Sequence, residues 1–309
     1  MEQFFSTFSA WTIWTPELII VLLFISLCYF ILTGPLRHKF QGSEPVKVSR
    51  KIYFHLGLIG IYFGFGGPLY VAGHIMLSMH MLSMAIVYLM APPLLLLGIP
   101  SWFFQWLGRF KVLNKIFTVM GLPLIGLILF NAMISFYHLP ITFDRFMTSE
   151  AMHNTYQLGM LFAALLMWWH ILPRMVTKYD MSELKKMGYM FASGFLFTPA
   201  CVLIIFASEP LYATYTDPAI WAIAISYCIP AGVSIPYDVF TNGANPIAAL
   251  TPRHDQQLGG VIMKVTQEFV YSIAIGYVFA LWMRRDKAST DKMDLQEFEM
   301  VSQKNMSEA

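Results

Sequence analysis

Residues 74–97 read HIMLSMHMLSMAIVYLMAPPLLLL, and this stretch decides the fold. From Ile75 to Leu97 it holds no Asp, Glu, Lys or Arg. A helix of that length reaches about 34 Å, enough to cross a hydrocarbon core of roughly 30 Å. A segment that satisfies its own backbone hydrogen bonds inside lipid is a helix or a barrel strand, and the length excludes a strand. The first eleven residues, His74 to Met84, concentrate two histidines and four methionines where one apolar run ends and the next begins. Imidazole and thioether hold soft monovalent copper without the thiols that an oxidising compartment would convert to disulfides.

The whole chain agrees with a membrane setting. Hydrophobic residues make up 57% of the 309 and charged residues 12%, against roughly half and a quarter in soluble domains. Seven apolar runs are long enough to span: 16–33, 52–71, 75–97, 119–138, 153–172, 188–207 and 258–282. The expected fold is therefore all-α, an integral membrane bundle of seven transmembrane helices. The first run is not read as a signal peptide, because no basic segment precedes it and Glu17 sits at its entrance. Lys and Arg crowd alternate connections: Arg37, Lys39, Lys47, Arg50 and Lys51; Arg109, Lys111 and Lys115; Arg174, Lys178, Lys185 and Lys186; and the tail after 282. Only Arg145 and Arg253 lie on the other side. This bias places the N-terminus outside and the C-terminus in the cytoplasm. A net charge of +2 marks no nucleic-acid partner.

One domain over residues 1–285 accounts for the spans, and the polar tail 286–309 is expected to be disordered. Bends are expected at Pro92 and Pro93 and at Pro199. In the outer segment between helices six and seven, Asp217 followed by Pro218 reads as an N-cap with proline at the first helical position. It predicts a short surface helix over 220–229 that lids the outer mouth. Cys28, Cys201 and Cys228 form no CxxC pair.

Five of the eight histidines, His74, His80, His138, His153 and His254, fall at the outer ends of spans. They come from different helices, so only folding unites them. Met76, His80 and Met84 recur every four residues and are expected on one face; so are His153, Gln157 and Met160, and Asn131, Ser135 and His138. Any single methionine is read more simply as packing. The group points to an outward metal site, with His80 and His138 as first ligands, then His74 and His153, with Met76 or Met84 nearby. His254 follows Arg253 and is read as solvated.

Asp255 and Gln256 open helix seven and are expected to support the site by orienting a ligand histidine, as are Gln157 and Asn131. Lys264 and Glu268 lie one turn apart inside that helix; either they neutralise each other or Lys264 reaches out to the surface. His55 and His170 form a separate inner site or act as interfacial anchors. The chain has no nucleotide-binding glycine loop, HExxH or serine–histidine–acid set, and it is not read as an enzyme.

Several stretches together carry a resemblance: GGPLYVAGHIMLSMHMLSMAIVYLMAPPLLLLGIP, FNAMISFYHLP, MGYMFASGFLFTPACVLIIF, LYATYTDP and DQQLGGVIMK. They resemble the CtaG family of caa-type cytochrome c oxidase assembly factors, multi-span proteins of bacterial plasma membranes. By position the family pattern falls on His74, His80, His138, Asp255, Gln256, Gly259 and Gly260. The resemblance implies a noncatalytic factor that helps to make active oxidase by holding or supplying copper. Its partners would be oxidase subunits, other copper chaperones and membrane lipid. Two further readings remain: a haem-binding electron-transfer protein with two axial histidines, and a metal-free assembly scaffold.

Overall fold

The computed structural model describes residues 8–172, 181–226 and 250–307. Among them every regular element is helical. In chain order these are α1 (Ala10–Trp14), α2 (Pro16–Thr33), a 3-10 turn (Arg37–Lys39), α3 (Val48–Phe65), α4 (Gly67–Gly73), α5 (Leu77–Ala85), a π-helical turn (Ile86–Met90), α6 (Ala91–Gly98), α7 (Ser101–Leu107), α8 (Lys111–Met120), α9 (Pro123–Tyr137), α10 (Pro140–Met147), α11 (Glu150–Trp169), α12 (Glu183–Phe206), a second 3-10 turn (Ala213–Tyr215), α13 (Pro218–Ser226) and α14 (Pro252–Ser307). Residues 227–249, with Cys228 and the remainder of the expected outer segment, lie outside the described residues.

Five helical stretches are long and apolar enough to cross a membrane: Ala10–Thr33, Val48–Gly73, Leu77–Gly98, Glu183–Phe206 and Pro252–Lys287. A sixth follows if α9 and α10, which meet at 80°, count as one broken span. The expected seven are thus matched only in part. The remaining run, α11, is 20 residues long but carries His153 and Gln157, both buried, on an inward face.

The order of packing follows from which faces are apolar. The α5–π–α6 stretch packs against α3, α11 and α14; α14 also packs along α12, α12 meets α9, and α9 meets α11. At the centre Met81, Leu89, Phe130, Met160 and Met167 are completely buried. By contrast α2 buries only Tyr29 and Thr33, and leaves Ile20, Leu23, Phe24 and Leu27 exposed. So much contiguous exposed apolar surface is stable where the surroundings are themselves apolar.

Breaks in the helices have identifiable causes. Pro92 and Pro93 lack backbone donors, and the ladder just before them widens to the π-helical turn. The helix containing Pro199 continues through it as one element. Between α3 and α4 the chain turns through Gly67 at φ 70 with its backbone against the Tyr62 ring, a conformation and a closeness that only glycine accepts. Between α9 and α10, Pro140 follows Leu139, which adopts extended backbone as a residue before proline prefers.

The last helix departs from expectation. It was expected to end near residue 285 but continues to Ser307. Residues 286–307 contain neither glycine nor proline and are rich in Lys, Glu, Gln and Met, which tolerate helix well. Arg285 pairs with Glu183 and ties this helix to the start of α12.

Close approach of α3 to the π-turn depends on Gly64, where a Cβ would sit 2.2 Å from Val87 Cβ. Gly64→Ala is expected to lower thermal stability in detergent by about 1–3 kcal/mol through overpacking. Gly64→Ala with Val87→Ala should recover most of that loss; an undisturbed single variant would contradict this packing.

Candidate functional site

Two helix breaks place the central histidines. His74 follows the last residue of α4, and His138 follows the last residue of α9. Each ring turns back one helical turn: His74 Nδ1 contacts Tyr70 O at 3.0 Å and His138 Nδ1 contacts Ile134 O at 2.7 Å. A carbonyl only accepts, so each Nδ1 carries the proton and each Nε2 carries the lone pair. This is how metal-binding imidazoles are commonly oriented. His74 lies between spanning stretches, and burial pushes its pKa below the ordinary 6.5, so the ring is neutral at neutral pH.

His80 sits in the first turn of α5, buried. Its ring stacks on Tyr137 at 5.8 Å between centroids and meets Phe143 edge-on at 5.2 Å. It lies near enough to His74, His138 and His153 to interact electrostatically with all three. The Nε2 atoms of His80 and His138 are buried and have no hydrogen-bond partner among the described residues. An unsatisfied buried polar atom is costly, so each of these nitrogens is a candidate ligand.

His153 has a different environment. Its ring centroid is 6.0 Å from that of His74, but its Nε2 is 2.7 Å from Gln157 Nε2 and its Nδ1 is 3.5 Å from the Tyr137 hydroxyl. Gln157 thus contacts His153, and the amide, as the donor, engages the lone pair on His153 Nε2.

Met84 follows His80 by one turn and is buried. Met76 is a correction to the expected stripe: it precedes α5 in extended backbone (φ −130, ψ 128), because the helix begins only at Leu77, so it does not share the helical face of His80 and Met84. Among the described residues no three His, Cys, Asp or Glu side chains come together as a metal cage.

The expected supporting residues hold other things. Asp255 accepts from Leu77 N at 2.6 Å and from both the backbone and the hydroxyl of Ser78. It thus caps the free N–H groups at the start of α5 from α14, and its hydrogen bonds go to no histidine. Gln256 accepts from Leu211 N at 2.7 Å and donates to Ile204 O at 3.2 Å. Asn131 donates to Leu127 O and Ser193 Oγ. Among the described residues none of these hydrogen bonds goes to a histidine, and Asn131 Oδ1 is buried without a partner. His254 is exposed and contacts the Thr251 hydroxyl. His55 contacts Ser26 and Lys51 O, whereas His170 is buried near Tyr189, so each has its own surroundings. Lys264 and Glu268 do pair, at 2.6 Å.

A short cover closes this end of the bundle. As expected, Asp217 caps the helix that Pro218 opens, accepting from Ala219 N at 2.8 Å. The helix is less superficial than expected, for Trp221 and Ile225 are buried. Trp221 Nε1 donates to His74 O at 2.9 Å, the Tyr212 hydroxyl to His138 O at 2.9 Å and the Tyr215 hydroxyl to Gly73 O at 2.7 Å. Asp144 of α10 holds the cover from the side, accepting from Ala213 N, Thr214 N and the Thr214 hydroxyl. Sequence reasoning missed Asp144, Tyr137 and these aromatic donors. A lone acid in a connection poor in charge was the available signal for Asp144.

The family model described as cytochrome c oxidase caa3 assembly factor (Caa3_CtaG) matches residues 27–285, and the chain belongs to that family. No curated protein and no solved structure matches it.

Asp255→Ala should uncap α5 and leave buried donors unsatisfied, at a cost of roughly 2 kcal/mol. Asp255→Asn, which keeps one acceptor, should fall between it and the wild type in thermal unfolding. Equal stability of all three would remove the cap from the account.

Proposed function

We propose that this member of the caa3 oxidase assembly-factor family supports oxidase maturation by carrying monovalent copper as cargo, bound through Nε2 of His80 and Nε2 of His138. The observation that carries this reading is the pair of buried imidazole nitrogens without partners, at the histidine-rich end of the bundle. His74, with its lone pair also on Nε2, and the thioether of Met84 are the neighbouring soft donors, and Met76 lies at the entrance of α5. Few neutral ligands suit transfer better than a full cage, because an acceptor can add one ligand while another leaves.

The aromatic packing favours an ion over a haem. Tyr137 and Phe143 lie against His80 and occupy the space beside the ring that a macrocycle would need. The cover bears on the same point: it grips the carbonyls of His74 and His138, so its displacement on meeting an oxidase subunit would reach both ligand segments at once.

In the same reading the bundle has seven spans in the bacterial plasma membrane, with α11 as the fifth. Its polar side chains face inward and its length suffices to cross. The Lys and Arg bias puts the histidine end outside, with copper received from another chaperone and passed to an oxidase subunit there.

Purified wild-type protein should be colourless and take up one monovalent copper ion, and His80→Ala with His138→Ala should weaken that uptake at least tenfold. The same double variant, at normal membrane levels, should lower oxidase activity in cells. Undiminished copper uptake in the double variant would defeat the proposal, and a haem spectrum would replace it. A fluorescent reporter fused after Ala309 should fold and emit in the cytoplasm; a silent fusion with normal membrane levels would reverse the orientation.

A further inference from the structure

Away from the histidine end, a cleft of 560 Å³ opens sideways between α12 and α14. Its polar end holds Thr198, Lys264, Gln267 and Glu268, and its walls are apolar, among them Phe195 and Phe279. Lys264 Nζ donates to the Thr198 hydroxyl at 3.0 Å and to Gln267 Oε1 at 2.8 Å, and pairs with Glu268. Gln267 is 1% exposed, yet its Nε2 has no hydrogen-bond partner among the described residues. The side chain of Glu268 is 59% exposed in a stretch apolar enough to span a membrane. An unmet donor and a half-open ion pair within a span are expensive and mark a place where something binds.

We propose that this cleft binds a neutral lipid of the isoprenoid quinone class, entering from the bilayer. The volume is that of a small-molecule site, on the order of 300–1,000 Å³, and far too small for a further helix. Lys264 is already neutralised by Glu268, so the cleft calls for an uncharged head. Lys264 lies about 13 Å along α14 from Asp255, deeper than a phospholipid phosphate can follow while staying hydrated. A quinone ring resides in the bilayer interior and offers a carbonyl oxygen to Gln267 Nε2, the donor that Lys264, with its three N–H groups already engaged, leaves unmet. Its tail would follow the apolar walls for the roughly 22 Å from Lys264 to Phe279. Two glycines keep that path open: a Cβ on Gly276 would meet nothing within 4 Å, and one on Gly194 would first meet Gln267 Nε2 at 3.3 Å.

The full-length protein, purified in detergent, is titrated calorimetrically with decylubiquinone, and with decylbenzene as a tail without carbonyls. The expected result is saturable binding of one decylubiquinone, at least tenfold weaker in Gln267→Leu and lost in Gly276→Leu, with decylbenzene binding weakly to all three. Circular dichroism and gel filtration establish that the variants are folded; if Gly276→Leu is not, Gln267→Leu decides. Non-saturable uptake, equal affinity in wild type and Gln267→Leu, or equal binding of decylbenzene would overturn the proposal. No copper enters this readout, so its outcome is independent of the copper reading.

Discussion

Everything at the histidine end depends on one constraint: a helix that starts or stops in apolar surroundings must have its free backbone groups satisfied by the chain itself. Asp255 answers it for the start of α5, reaching from α14 to Leu77 N across 178 residues of sequence. Trp221, Tyr212 and Tyr215 answer it for the carbonyls left at the ends of α4 and α9. These bonds are strong where water is scarce, and they connect five helices around one small volume. The same contacts that end the helices also bring the cover down over the rings.

Breaking helices at this end has a chemical consequence. A histidine at the corner of a helix can bond its Nδ1 to the carbonyl four residues back, as His74 and His138 do, and this fixes which nitrogen holds the lone pair. His80, inside α5, is held instead by aromatic faces. The result is that His80 and His138 present unpartnered Nε2 atoms in a buried space, while His153 is turned aside by Gln157. A difference of one hydrogen bond separates the rings available to a cation from the one that is engaged.

The polar groups deep in the bundle are arranged on two levels. At the histidine end they are enclosed by the cover, whereas the Lys264–Glu268 pair opens to the side between α12 and α14. Close packing elsewhere is won by glycines facing bulky residues, as Gly64 faces Val87 and Gly260 faces Ile204 and Ile205. Where a glycine instead faces open space, as at Gly276, the gap is not a packing device.

Composition and spacing by themselves determined that the chain is a membrane helix bundle, where its apolar runs lie, that histidines gather at one end, and that Asp217 and Pro218 start a helix. Those are local properties: length, hydropathy and a cap two residues long. They also misled at the edges, because a four-residue repeat implies a shared face only where the helix has begun, and Met76 lies before α5. Tertiary structure decided which imidazole keeps a free nitrogen, that Asp255 and Gln256 hold backbone instead of a histidine, and that Asp144 clamps the cover. The roles of Asp255, Gln256 and Asp144 each depend on partners 45 to 178 residues away, and the direction of a side chain toward such a partner is set by packing, which no spacing along the chain encodes.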